Sequence, residues 1–175
     1  MKVKFVRHGQ TDLNSPVKRM QGISNYDLNE NGIRQAEETR DMLKDEKIDL
    51  IIASPLLRAR HTANIINENR NIPMIIDDRI RERNYGSLEG ELFKPEYCNL
   101  NYDYEKVNGE SIENYKSRIM DFMEEIKIKY SDKKVLVVSH NGVISVLSCI
   151  LEGKPKDGSF VGRGIQNGQV KEFTF

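Results

Sequence analysis

The chain has 175 residues, 38% of them hydrophobic and 31% charged, a size and mixture that fit one folded domain, residues 1–175, with a real core. Twenty-seven basic residues balance twenty-seven acidic ones, which removes any electrostatic reason to expect nucleic acid or an anionic membrane surface as a partner. Cys98 and Cys149 cannot build a disulfide framework and stand at no metal-ligand spacing; with a charged N-terminus and no apolar run of spanning length, the expectation is a cytoplasmic protein in a reducing compartment.

Residues 3–6 form a short β-prone run that ends in a polar, Gly-containing turn. Asn29 is placed to cap an amphipathic helix that closes at Leu43. Residues 50–53 are an unbroken apolar run typical of a buried strand. Ser54-Pro55 follows as an N-cap with proline at the first helical position, which predicts a helix to about Asn67. Residues 74–76 make another short strand. The segment at about 84–111 is polar, rich in turns and holds Tyr85, Tyr97, Tyr102 and Tyr104, so it is expected to be a cap or specificity segment rather than a core element. Ile112, Tyr115, Ile119, Phe122, Met123 and Ile126 recur at helical spacing over 112–129. Residues 134–138 are the clearest buried strand, 143–151 an apolar helix, and 169–175 an edge-type strand. Strands alternating with helices predict an α/β fold, a three-layer α/β/α sandwich with a largely parallel central sheet. Such sheets bind ligands at the carboxyl ends of their strands.

Three strand ends carry unusual polar groups: Arg7-His8, Ser54 through Arg58, and Ser139-His140. Taken singly, Arg7 is a surface cation, His8 a turn residue, Arg58 half of a surface salt bridge and His140 a hydrogen-bonded core histidine. Their coincidence at strand-to-helix exits points instead to an oxyanion site containing two imidazoles. Arginine supplies a planar fork of donors for phosphate oxygens, and Arg58 lies in a first helical turn, where free N–H groups also favour an anion. Asn141 and Gly142 open the next helix and can add backbone donors. His61 is expected to be solvated or structural. No carboxylate or thiolate stands at ligand spacing to the histidines, so no metal and no cofactor is expected.

Arg7-His8-Gly9-Gln10-Thr11 with Asn14 resembles the signature of the histidine phosphatase superfamily, the phosphoglycerate mutase-like proteins. Four further segments match in order: Gln21-Gly22 through Leu28, Gly32 and Gln35-Ala36; Ser54-Pro55-Leu56 through Arg58-Ala59 to Thr62-Ala63; Glu82 through Gly86 to Leu88-Glu89-Gly90; and Ser139-His140-Asn141-Gly142. The resemblance implies that His8 attacks phosphorus and carries a transient phosphohistidine. It implies that Arg7, Arg58, His140 and Asn14 hold the phosphoryl oxygens, with Asn141 beside them, and that Glu82 is the general acid and base. Gln21, Gly22 and Tyr85 are expected to contact substrate. Without the resemblance, Glu82 reads equally as a salt-bridge partner of Arg79, Arg81 and Arg83. Asn141 stands where the family usually has glycine, which would narrow the pocket beside His140.

The expected activity is a metal-independent phosphatase acting on a small-molecule phosphate monoester. The alternative is a phosphoglycerate mutase, an isomerase using the same phosphohistidine, and Glu82-Arg83-Asn84-Tyr85-Gly86 resembles the mutase form of that motif. Mutases of the family are longer and supply paired arginines for the substrate carboxylate, whereas residues 91–111 offer only Lys94 and Lys106. A mutase must also keep water from its phosphoenzyme, which a short cap does poorly. A non-catalytic binding module is disfavoured because both histidines, both arginines and the acid are present. Sugar phosphates, a fructose bisphosphate and a ribazole phosphate are the candidate substrates; the choice among them, and the oligomeric state, stay open.

Overall fold

Unbroken apolar runs build the centre of the sheet. In the computed structural model, which describes residues 1–175, β2 (Leu50–Ala53) and β4 (Val135–Ser139) are buried at every position. With β1 (Lys2–Arg7), β3 (Met74–Ile76) and β5 (Val170–Thr174) they form one five-stranded sheet in the order β3-β2-β4-β1-β5. The first four strands are mutually parallel where they pair, and β5 runs antiparallel against β1. The largely parallel sheet is therefore present, and the last strand is an edge strand as expected.

Because side chains alternate across a strand, each strand feeds two cores. Val3, Phe5, Leu50, Ile52, Val135 and Val137 face one side, where they meet α3 (Ile112–Lys129) and α4 (Asn141–Glu152) through residues such as Tyr115, Ile119, Phe122, Val143 and Leu147. Val6, Ile51, Ala53, Leu136 and Val138 face the other, against Leu43 of α1 (Glu30–Leu43) and Ala59, Ala63 and Ile66 of α2 (Leu57–Ile66). These are the three layers. Asn29 caps α1 by accepting from Gly32 N at 2.9 Å, and Ser111 caps α3 in the same way. No helix is long and apolar enough to cross a membrane.

Two expectations are corrected. The second helix does not start on Ser54 and Pro55: its N-cap is Leu56, with no side-chain cap, and α2 begins at Leu57. Ser54 is engaged elsewhere, its hydroxyl 2.7 Å from His140 Nε2. The cap is also wider than residues 84–111. That stretch contains only short 3-10 turns, and it packs around Met20, Tyr97 and Tyr104 as a small separate cluster. Isolated bridges join Arg19 to Leu92 and Asn99 to Ser159, so three distant stretches make the cap.

Register delivers the site. Pairing of β1 with β4 sets Arg7 opposite Ser139, and pairing of β2 with β4 sets Ala53 opposite Val138. The ladder continues one step further, with His8 N donating to Ser139 O and Ser54 N to Val138 O, each at 3.0 Å. Three strand exits thus share one edge of the sheet. The layer beneath them depends on Phe122, which is fully buried. Phe122→Ala is expected to lower stability by about 3–5 kcal/mol in urea unfolding, and a loss under about 1 kcal/mol would contradict this packing.

Candidate active site

His8 leaves β1 at its carboxyl end and is 4% exposed. Its Nδ1 lies 2.7 Å from Gly9 O. A carbonyl only accepts, so Nδ1 carries the ring proton and Nε2 presents its lone pair. Arg58 Nε donates to that Nε2 at 3.3 Å. The main chain is fixed as well, with Asn167 Nδ2 donating to His8 O and Gly9 N to Thr62 Oγ1. Burial, reinforced by the Arg58 and Arg7 charges, holds the His8 imidazole well below its ordinary range, which keeps it neutral.

Arg58 is fully buried in the first turn of α2. Its Nη1 and Nη2 donate to Ser24 O and Gly22 O, both at 2.7 Å, which leaves Nε as the donor facing His8. Gly22 has φ 52°, and a Cβ there would come within 2.1 Å of Glu89 Oε1, so only glycine can turn its carbonyl to Arg58 here. Arg7 Nη1 donates to Ile165 O at 2.8 Å, while its Nε is buried without a partner. Burial lowers both guanidinium pKa values to about 10, and both remain cationic at neutral pH.

His140 is 0% exposed, its ring 5.1 Å from that of His8. Ser54 Oγ accepts from Leu56 N and is free to give its own proton to His140 Nε2. The His140 proton then sits on Nδ1, a buried donor with no partner in the protein. Buried donors are nearly always satisfied; a phosphoryl oxygen between the rings would satisfy this one and Arg7 Nε together.

Glu82, 7% exposed, is not in a salt bridge with its neighbouring arginines. Arg79 pairs with Asp77 and Glu125, Arg81 with Asp78, and Arg83 lies 4.0 Å above the Tyr104 ring. The Glu82 carboxyl instead accepts from Tyr115 Oη at 2.8 Å and from Gly142 N at 3.1 Å. The Gly142 amide, expected to serve the anion, is therefore used by the acid. Asn141 also departs from expectation: its Oδ1 accepts from Ile165 N at 3.0 Å and steadies the loop that holds Arg7. Asn14 Oδ1 takes Thr11 N and Asn167 Nδ2, leaving its own Nδ2 as a donor.

Every site residue expected from the sequence except the deeper His140 lines one cleft of about 550 Å³: Arg7, His8, Asn14, Gln21, Gly22, Arg58, Glu82, Tyr85 and Asn141. Lys18, Arg19, Phe93, Cys98 and Phe160 line it too and were not anticipated. Lys18 Nζ lies 3.6 Å above the Phe93 ring and Arg19 Nη1 donates to Gly90 O, contacts that leave both charges uncancelled. Four cations, Arg7, Lys18, Arg19 and Arg58, thus face a single lining carboxylate, Glu82. Of the cap tyrosines only Tyr85 reaches the cleft; Tyr97, Tyr102 and Tyr104 pack on one another. His61 stands apart in a pair with Asp27. No group of three or more His, Cys, Asp or Glu side chains is placed to hold a metal ion. Tyr115 was legible only as a core position, although a buried phenol on an apolar stripe needs a partner, and that need was the available clue.

Known proteins resemble this chain in sequence and in fold. The model of the histidine phosphatase superfamily (branch 1) matches residues 3–175. An uncharacterised phosphatase, PhoE of Bacillus subtilis, is 39% identical over 151 residues, covering 86% of this chain and 77% of its own. Phosphoserine phosphatase 1 of Hydrogenobacter thermophilus is 34% identical over 163 residues, covering 87% and 77%. A mycobacterial glucosyl-3-phosphoglycerate phosphatase, solved in complex with VO3, superposes with a TM-score of 0.85 at 26% identity, over 99% of this chain and 92% of that one.

The two neutral imidazoles have a consequence for stability. Burial first, and then the charge of Arg58, holds His140 as well as His8 well below the usual 6.5. Their contribution is complete above pH 6.5, where both residues are neutral folded or unfolded. As pH falls below that value the unfolded chain takes up protons that the folded chain refuses. Stability should therefore drop by up to about 1.4 kcal/mol per pH unit for each histidine. Urea unfolding at about pH 7 and about pH 5.5 measures the slope, and a His8→Gln, His140→Gln double variant should flatten it; an unchanged slope would show that the rings are not held neutral.

Proposed function

The chain belongs to the histidine phosphatase superfamily, and from that premise we propose that it hydrolyses a small phosphate monoester through a phosphohistidine on His8, without a metal ion. That it is a phosphatase follows from the family and from its relatives. The observation that carries the route is the polarity of His8: Nδ1–H is spent on Gly9 O, and Nε2 points its lone pair at the buried cations. In the first step His8 Nε2 bonds to phosphorus, the ester P–O bond breaks, and Glu82 gives a proton to the departing alkoxide. In the second, water attacks phosphorus, the Nε2–P bond breaks, and Glu82 takes back a proton as phosphate forms. Arg7 Nε, Arg58 Nε, His140 Nδ1 and Asn14 Nδ2 serve the three phosphoryl oxygens. These fixed donors provide the charge stabilisation that a metal supplies in other phosphatases.

Lys18 and Arg19 favour an ester whose alcohol portion carries a further anionic group, because the phosphate itself answers only Arg7 and Arg58. They enter from the stretch before Gln21 rather than from the cap segment after Glu82. The segment after Glu82 supplies no arginine pair for a substrate carboxylate, so hydrolysis rather than mutase transfer is the proposed outcome.

Three experiments test this. A reaction with phosphorus-labelled substrate, run in excess EDTA and quenched in alkaline detergent, should trap base-stable, acid-labile label on the wild type and none on His8→Ala. Label on the variant, or turnover that needs added divalent metal, would overturn the route. With 3-phosphoglycerate, phosphorus NMR should show inorganic phosphate and little 2-phosphoglycerate. Lys18→Gln should lower kcat/KM for that ester roughly two- to fivefold relative to p-nitrophenyl phosphate, an effect that salt erodes; equal losses on both substrates would remove Lys18 from substrate selection.

A further inference from the structure

The carboxyl of Glu82 is enclosed by three donors. Tyr115 Oη gives a hydrogen bond to Oε1 at 2.8 Å and Arg83 N gives another at 3.1 Å, while Gly142 N donates to Oε2 at 3.1 Å. Each carboxylate oxygen has two lone-pair positions. Both positions on Oε1 are filled; one on Oε2 is free.

Tyr115 is 1% exposed, and burial together with the nearby Glu82 charge pushes its phenol well above 10, so it donates at any working pH. The helix that carries it also fixes the acid's main chain. Arg118, one turn further along α3, donates from Nη1 to Arg79 O and Arg81 O and from Nη2 to Glu82 O. On the remaining side a Cβ at Gly142 would lie 2.2 Å from Glu82 Oε1 and 2.7 Å from Tyr115 Oη. The carboxyl cannot rotate without breaking the Tyr115 bond or striking α4. A phenylalanine would fill the same core position on the apolar stripe of α3, and the hydroxyl has no partner other than Glu82.

We propose that Tyr115 is a positioning residue for the proton transfers of Glu82: by occupying Oε1 it makes Oε2 the atom that gives a proton to the leaving alkoxide and receives one from water. When the ester P–O bond breaks, the proton on Oε2 moves to the alcohol oxygen. When water bonds to phosphorus and the His8 Nε2–P bond breaks, a water proton returns to Oε2. This rests on Glu82 being the general acid and base.

The test compares kcat/KM on an alkyl phosphate and on p-nitrophenyl phosphate, whose leaving group needs little protonation, for wild type, Tyr115→Phe, Glu82→Gln and the double variant. Tyr115→Phe is expected to cost roughly tenfold on the alkyl ester and less than about twofold on the aryl ester, a fraction of the ~10²–10⁴-fold expected for Glu82→Gln on the alkyl ester. In the Glu82→Gln background Tyr115→Phe should cost nothing further. Gly142→Ala, which displaces the same carboxyl from the opposite side, should show the same preference for the alkyl ester. Equal losses on the two esters, or an undiminished Tyr115→Phe effect in the Glu82→Gln background, would overturn the role of Tyr115 and leave Glu82 in place. Unchanged alkyl ester hydrolysis in Glu82→Gln would instead remove Glu82 as the acid, and this proposal with it.

Discussion

A guanidinium with no access to water and no carboxylate in contact is a severe demand on a fold. Arg58 is in that position, with two backbone carbonyls and one imidazole nitrogen for partners. The carbonyls come from Gly22 and Ser24, so the loop after Gln21 must wrap back over the start of α2. Glu89 pins that loop from the cap, accepting from Ile23 N and Ser24 N at 2.9 Å. The charge so confined does two things at once. It keeps His8 from taking a proton, and it waits for an anion that can complete its surroundings.

The two sides of the sheet divide the labour. The α1 and α2 side supplies Arg58 and, through Thr62, a hold on Gly9. The α3 and α4 side holds Glu82: Arg118 ties down its main chain, Tyr115 its carboxyl, and Gly142 the remaining oxygen. His8 and Glu82 therefore sit on separate supports that meet only at the strand ends. Their relative placement is set by the register of β1, β4 and β2, the buried centre of the sheet.

Much of this was legible in the sequence because its causes are local. The runs at 50–53 and 134–138 are typical of buried strands, and once those strands are parallel neighbours, Arg7, His8, Arg58 and His140 gather at one edge. The start of α2 was misread for the opposite reason. Ser54-Pro55 is a sound local signal for a helix cap, and the hydroxyl does accept from Leu56 N, but it is shared with His140, 86 residues away, and the helix starts only at Leu57. Tyr115 hid inside a correct pattern, since it obeys the helical spacing of its apolar neighbours. Lys18 and Arg19 were missed because the cap was sought in one continuous segment, whereas Arg19 pairs with Leu92 across the cleft mouth.

The antiparallel direction of β5 has a further consequence. It requires the chain leaving α4 to travel along the active edge of the sheet before turning back, and there Ile165 meets Arg7 and Asn167 meets the main chain of His8. Those bonds span 158 and 159 residues. Arg7 and His8, at the exit of the first strand, are thus anchored by a segment that follows the fourth helix. Contacts so distant along the chain form slowly, and the pairing of β1 with β4 and with β5 is as long-range as the bonds that hold Arg7 and His8, so sheet and site are completed together. A chain folded only as far as α4 would hold His8 without the bond from Asn167 that fixes its main chain.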